Sequence, residues 1–330
     1  MTQNSAANTP LKGIRPGPIV VIGSINMDLV CRISRIPAPG ETILGSDLVT
    51  IPGGKGANQA VAAAKLGGQV YFIGRVGEDD FGQRLLNGLK NHHVDTQYVT
   101  VTEGVSSGCA LILVDKKGEN SIVVAPGANH KLTPDDIDAA EELLARASVV
   151  ILQLEIPLKT VRHAIEKCRK LGAFTILDPA PAPPKGLPRA LYDVDILTPN
   201  QSEAETILRT PQMGRLRRTK RADAKQIGAE LLARGPRTVV LKLGEKGAMI
   251  QDQHDYIHTI KSFKVKVVDT TAAGDAFTAA LGVALVEGKD LADAVRFANA
   301  AGARCCEGFG AQPSLPTREV VLSLLAQRGR

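Results

Sequence analysis

Val267-Val268-Asp269-Thr270-Thr271-Ala272-Ala273-Gly274-Asp275-Ala276-Phe277-Thr278-Ala279-Ala280 is the stretch on which the reading of this chain turns. An alternating apolar run ends at Val268, small residues fill 272–274, and a pattern rich in Ala and Leu runs from Asp275 to about Glu287. This predicts a strand, a tight turn and the start of a helix. The first four N–H groups of a helix lack internal acceptors, and the macrodipole adds positive potential there. Ala272, Ala273 and Gly274 carry at most a methyl group, so an anion can approach their backbone closely. Asp275 then has two readings. It is a helix cap, or it is a general base beside an anion cradle, taking a proton from an attacking hydroxyl.

Upstream, Arg237 to Lys242 reads as a strand, and Gly244-Glu245-Lys246-Gly247 as its turn into the strand Ala248 to Gln251. Downstream, Leu291 to Cys306 reads as an apolar helix followed by Glu307-Gly308-Phe309-Gly310-Ala311-Gln312-Pro313-Ser314. From Leu132 onward strand and helix patterns alternate. Thr133-Pro134-Asp135-Asp136 opens a helix with a cap, an early proline and early acids. Strands at Ser148–Leu154, Phe174–Leu177 and Asp195–Leu197 run out into Glu155, Asp178 and Asn200-Gln201-Ser202-Glu203, with a helix over Leu158–Leu171. The buried-type strand Ile19 to Ile22 finishes in Gly23-Ser24-Ile25-Asn26-Met27-Asp28. Parallel strands end on one edge of their sheet, so Asp28, Glu155, Asp178, Asn200 and Asp269 are expected to meet in one crevice. Asn26 and Asp28 are ligand candidates there, or simply turn formers.

Pro52-Gly53-Gly54-Lys55-Gly56-Ala57-Asn58-Gln59 leads straight into an Ala-rich helix, Ala60 to Leu66. It lacks the spacing of a Walker A loop. Its glycines either make a structural turn or present backbone donors at close range, with Lys55 and Asn58 suited to a polyhydroxylated ligand. Val70 to Val76 reads as a strand and Phe81 to Asn91 as a helix. Leu29 to Thr50, broken by Pro37, Pro39 and Gly40, reads as short strands, and Gly108–Val114 with Asn120–Ala125 as a hairpin. The expected fold is α/β, a doubly wound parallel sheet flanked by helices. Segments at about 29–52 and 106–126 would be inserted as a small β-sheet lid. Residues 1–17, polar with Pro and Gly, read as a disordered tail ahead of one domain over 18–330.

A chain of 330 residues with 44% hydrophobic and 22% charged residues can bury a large core. Its net charge of +6 resides largely in Arg215, Arg217, Arg218, Lys220, Arg221 and Lys225, a run read as a solvated loop and helix face. With no Trp, four Tyr and seven Phe there are few platforms for stacking bases, which argues against a nucleic-acid partner. Five cysteines without Cys-x-x-Cys spacing suggest reduced thiols in the cytoplasm. No apolar run approaches the ~20 residues needed to cross a bilayer.

Taken together, Gly53-Gly54-Lys55-Gly56-Ala57-Asn58-Gln59-Ala60 and Asp269-Thr270-Thr271-Ala272-Ala273-Gly274-Asp275 resemble the two signatures of the ribokinase-like (phosphofructokinase B) sugar kinases. The likeness spans about residues 18–320. It includes Gly23 to Asp28, Gln153-Leu154-Glu155, Pro179-Ala180-Pro181-Ala182 and Pro199 to Glu203. The resemblance implies ATP-dependent phosphorylation of a small sugar, ribose at O5, with deoxyribose, fructose or a nucleoside as alternatives. A sugar-binding regulator without activity is the rival from another class. Asn26, Asp28, Gly54, Lys55, Asn58 and Glu155 match sugar-binding positions. Asp275 matches the base, and Ala272, Ala273 and Gly274 the anion hole. Asn200 and Glu203 match an Asn-x-x-Glu motif serving magnesium indirectly. Lys242, Gly244, Gly247 and Asn299 fall in the nucleotide region, where Lys242 replaces a frequent Thr and Asn299 a His. Asp269, Thr271, Cys305, Gly308, Gly310 and Ser314 match loops around a potassium site. Unpaired lid strands suggest a homodimer formed through the lid.

Overall fold

Ile19-Val20-Val21-Ile22 is buried at every position because helices cover both faces of its sheet. Side chains alternate along a strand, so Ile19 and Val21 enter one core while Val20 and Ile22 enter the other. The first core is closed by the helices Lys55–Lys65, Ala273–Val286 and Leu291–Cys305. Leu158–Leu171, Gln201–Leu208 and Ala224–Leu232 close the second. The computed structural model describes residues 13–116, 118–208 and 223–327. Most of the expected tail and the basic residues from Arg215 to Arg221 lie outside them.

The described strands are β1 (Ile19–Ile22), β2 (Asn26–Arg32), β3 (Leu48–Gly53), β4 (Val70–Gly77), β5 (Val94–Thr102), β6 (Gly108–Val114), β7 (Asn120–Ala125), β8 (Val149–Leu152), β9 (Phe174–Leu177), β10 (Ile196–Leu197), β11 (Thr238–Lys242), β12 (Ala248–Asp252) and β13 (Ile257–Ile260). Nine form one sheet in the order β13-β12-β11-β10-β9-β8-β1-β4-β5. It is parallel from β5 to β11; β12 alone runs the other way, pairing antiparallel with both β11 and β13. Because β1 sits between β8 and β4, the chain departs from it in both directions, and the crevice opens beyond its carboxyl end. The remaining four form a separate sheet, β3-β2-β6-β7, which leaves the main sheet directly after β1. This is the expected α/β architecture with its small second sheet.

Three expectations need correction. No strand runs to Val268; residues 261–268 are irregular, and Val267 and Val268 are 60% and 57% exposed. The alternation Lys264-Val265-Lys266-Val267 imitates a half-buried strand, but β13 already closes that side of the sheet. Asp28 and Asp269 therefore do not end strands of the main sheet as Glu155, Asp178 and Asn200 do. Asp28 lies within β2 of the small sheet, and Asp269 is in a loop, its carboxylate accepting from Gly310 N at 3.0 Å. The helix after Gly54 begins at Lys55 rather than Ala60. Strand β5 and the helix Arg318–Gln327 were not anticipated.

Candidate active site

Gly54 takes φ 86°, and a Cβ there would lie 2.7 Å from Asn26 N, so the loop can pass the start of β2 only with glycine. The helix Lys55–Lys65 then starts under Glu155, which follows β8. Glu155 Oε2 accepts from Lys55 N at 3.0 Å and from Ser24 Oγ at 2.5 Å. A carboxylate at a helix N-terminus satisfies an orphan donor and meets the positive end of the dipole. Asn26 is fixed from the side, its Oδ1 accepting from Asn129 Nδ2 at 2.7 Å. Gly53 gives room to Asp28: a Cβ there would lie 2.2 Å from Asp28 Oδ2.

Opposite them, the buried helix Ala273–Val286 starts from Ala272, whose φ of 59° turns the chain sharply. Ala273 N donates to Thr270 O at 3.2 Å. The amides of Gly274 and Asp275, in the first turn, have no carbonyl of their own helix to meet. Asp275 is not the cap. It is the third residue of the helix and 4% exposed, with Oδ2 accepting from Asn58 Nδ2 at 3.0 Å and Oδ1 from Gln59 Nε2 at 3.2 Å. Gln59 Nε2 also reaches Asp178 Oδ2 at 3.1 Å, and Lys242 Nζ pairs with Asp178 Oδ1 at 2.9 Å.

The electrostatics follow from crowding five acids and two lysines beneath one sheet edge. Burial above all, with Asp178 and Glu155 adding to it against Lys55 and the Asn58 hydrogen bond, pushes the Asp275 carboxyl up to about 6. Burial, then the charges of Glu155 and Asp275, pushes Asp28 up to about 7. Burial disfavours the Lys55 ammonium, but Asp275, Asp178, Glu155 and Glu203 outweigh it and hold its pKa above the usual lysine value. Burial likewise raises Glu203, opposed by Lys242. The structure thus brings Asp28 within electrostatic reach of Glu155 and Asp275, and Lys55 within reach of Glu155, Glu203 and Asp275, although they are scattered through the sequence.

Other candidate residues are engaged locally. Asn200 and Glu203 cap their own helix reciprocally: Asn200 N donates to Glu203 Oε2 at 2.7 Å, and Glu203 N to Asn200 Oδ1 at 2.8 Å. Gly244 (φ 61°) and Gly247 (φ 96°) shape the turn between antiparallel β11 and β12. Asn299 is buried and donates Nδ2 to Ile260 O at 3.1 Å. Asp269 accepts from Thr271 N at 2.9 Å and Thr271 Oγ1 at 2.7 Å, and through Gly310 it joins the 269–271 loop to the 305–314 loop. Cys305 Sγ lies 3.1 Å from Ser314 Oγ and 3.5 Å from Thr271 O. Gly308 is held small by Ser314, whose Cβ would be 2.8 Å from an added methyl. Among the described residues no three His, Cys, Asp or Glu side chains could enclose a metal ion.

Gln59, Gln153 and Asn129 belong to the site; the first two stand in the quoted motifs without an assigned role, and Asn129 is not among them. Gln153 Nε2 donates to Gln59 Oε1 at 2.5 Å, which aims the Gln59 amide at both Asp178 and Asp275. The signal for Gln59 was its place in the first signature, beside Asn58.

A buried acid held by amides next to unpaired helix-start donors, with lysines on either side, is an arrangement for moving a proton beside an anion. The chain belongs to the pfkB family of carbohydrate kinases, whose model matches residues 18–318. It is 42% identical to a ribokinase of Bacillus subtilis over 311 residues, covering 93% of this chain and 99% of that one. A deoxyribokinase of Salmonella typhi is 36% identical over 303 residues, with 91% and 96% covered. The solved ribokinase of Arabidopsis thaliana, complexed with ribose and ATP, superposes with a TM-score of 0.83 at 36% identity, covering 94% of this chain and 99% of that chain.

Proposed function

We propose that this chain transfers the γ-phosphoryl group of ATP to O5 of D-ribose, with Asp275 as general base. The observation that carries this reading is the buried Asp275 carboxylate, fixed by Asn58 and Gln59 one residue after Gly274. A base must hold its proton weakly enough to be ionised at work and strongly enough to accept one, and a value raised to about 6 meets both conditions. Asp275 takes the hydroxyl proton, while the amides of the helix start stabilise negative charge on the transferring group. Asn58 supports a polyol ligand: its Oδ1 is buried with no partner among the described residues, an acceptor suited to a sugar hydroxyl. Asn26, Asp28, Gly54, Lys55 and Glu155 complete the sugar pocket in this reading. Relatives that are ribokinases and ribose–ATP binders support the substrate; a deoxyribokinase among them keeps deoxyribose in view.

ATP, when bound, supplies the phosphoryl group, and the helix-start amides with Lys242 fit a polyphosphate by charge. Gly244, Gly247 and Asn299 would border its nucleoside. Asn200 and Glu203 would serve magnesium through water, which suits an ion that keeps much of its hydration and a site without an enclosing cluster. Potassium would sit between the loops that Asp269 joins, bound largely by carbonyls near Thr271, Cys305, Gly308, Gly310 and Ser314. Residues 18–330 act as one kinase domain with the small sheet as its lid, and two lids pair in a homodimer. Five free thiols and the absence of any helix among the described residues long and apolar enough to cross a membrane support a cytoplasmic enzyme.

The test is magnesium- and ATP-dependent phosphorylation of ribose, deoxyribose, fructose and adenosine, with and without potassium. Turnover greatest on ribose and raised by potassium is expected. Sugar binding without phosphorylation of any acceptor would replace the kinase by a regulator.

A further inference from the structure

Lys242 is the last residue of β11, and its side chain is 13% exposed. Its backbone is fixed by donation from Lys242 N to Pro199 O at 2.9 Å. The ammonium pairs with Asp178 Oδ1 at 2.9 Å, and a Cβ built on Gly274 would lie 3.4 Å from Nζ. The cation therefore stands over the Cβ side of the glycine at the helix start, where only the missing side chain would reach it. Neutralising Asp178 does not use the whole group. An ammonium has three donors, Asp178 takes one, and among the described residues Nζ makes no other hydrogen bond. Asp178 also has a second partner in Gln59, so it is not dependent on Lys242 alone.

Resting on the kinase reading above, we propose that Lys242 is a catalytic residue that contacts the transferring phosphoryl group at Gly274, swinging only slightly away from Asp178 to do so. It gives up no proton. The bond from the sugar oxygen to phosphorus forms, and the bond from phosphorus to the leaving diphosphate breaks with its electron pair on the diphosphate oxygen. The hydroxyl proton passes to Asp275. Lys242 offsets charge on the phosphoryl oxygens while Lys55 stands on the sugar side. Asp178 holds the ammonium in place between turnovers, and the Asp178–Gln59–Asp275 chain ties its position to that of the base.

The test compares wild type with Lys242→Arg, Lys242→Met and the double variant Lys242→Met/Asp178→Asn. Two quantities are read: kcat, and the affinity for the non-hydrolysable β,γ-imido analogue of ATP relative to ADP. Lys242→Met and the double variant are expected to lose about 100-fold in kcat, the scale of removing one donor to developing charge. Both should also lose most of the preference for the imido analogue over ADP, and Lys242→Arg should restore a substantial part of each. The double variant neutralises the carboxylate that pairs directly with Lys242, so it reports on the phosphoryl contact even if Lys242→Met folds poorly. Recovery of kcat and of the analogue preference in the double variant to within about threefold of wild type would overturn the proposal, leaving Lys242 as a counterion to Asp178. If wild type turns over no sugar while the variants still lose the analogue preference, the substrate reading fails and the Lys242 contact stands.

Discussion

Asn58 gives one end of its amide to Asp275 Oδ2 at 3.0 Å and keeps the other, Oδ1, buried with no partner among the described residues. The two signature loops, separated by 217 positions in the chain, are thus joined at the point where base and sugar would meet. One amide orients the base and presents an acceptor to a further sugar hydroxyl, because the single proton of the attacking hydroxyl would go to Asp275.

Turnover should therefore follow the ionisation of Asp275. A carboxyl raised to about 6, chiefly by burial, is protonated and inert below that pH, so kcat is expected to rise tenfold per pH unit on the acid side and level off above about 6. The same shift has a stability sign. The folded state keeps this proton between the ordinary carboxylate range and about 6 while the unfolded chain has lost it, so stability falls as pH rises through that window. Asp275→Asn should bind ribose, lose about 1000-fold or more in kcat, and no longer show that part of the stability slope. Rate profiles and urea midpoints from pH 4 to 8 check both; an acid limb that survives in a residually active Asp275→Asn enzyme would assign the ionisation elsewhere.

Gly56 offers a test of how tightly the sugar loop is seated. A methyl added there would lie 2.6 Å from Ser24 N and 2.8 Å from Gly23 Cα, both backbone atoms that cannot turn aside. Gly56→Ala is expected to cost about 1–3 kcal/mol by overpacking, read as a lower urea midpoint. It should also raise KM for the sugar, because the start of the helix carries Lys55 and Asn58. An unchanged midpoint and KM would mean that the loop is not in contact with β1's exit.

Much of this site was readable before the fold. Ala272 to Asp275 announces itself because small residues directly before a helix have few other uses, and strands such as β8 and β1 carry uninterrupted apolar runs. Gln59 stands in the first signature, but its role was silent because it depends on meeting Asp178 and Asp275, at 119 and 216 positions' distance, and local pattern holds no record of such meetings. Residues 261–268 misled because alternation reports a face that can be buried, not whether a neighbouring strand is there to pair with it. Strand β5 escaped notice for the opposite reason: it is an edge strand, and Asp95, Thr96 and Gln97 interrupt its apolar pattern.

The small sheet has more apolar surface than a monomer has reason to expose. Leu111 on β6 faces Val123 on β7, and they are 50% and 65% exposed; on the opposite face of β7, Ile122 and Val124 are 52% and 47% exposed. A four-stranded sheet bare on both sides at its outer end is suited to a partner, and a second copy of the same sheet would supply one of matching polarity. Wild type is expected to run as a dimer in light scattering at micromolar concentration. Leu111→Asp combined with Val123→Asp should give a monomer, because two carboxylates cannot be desolvated between apolar faces without partners. Both side chains are at least half exposed in the single chain, so the main-sheet core is untouched and the thermal midpoint of the monomer should stay close to that expected for an undamaged fold. KM for the sugar should rise as the unsupported lid strands loosen over Asn26 and Asp28. A wild-type monomer, or a double variant that remains dimeric, would remove the lid from the interface.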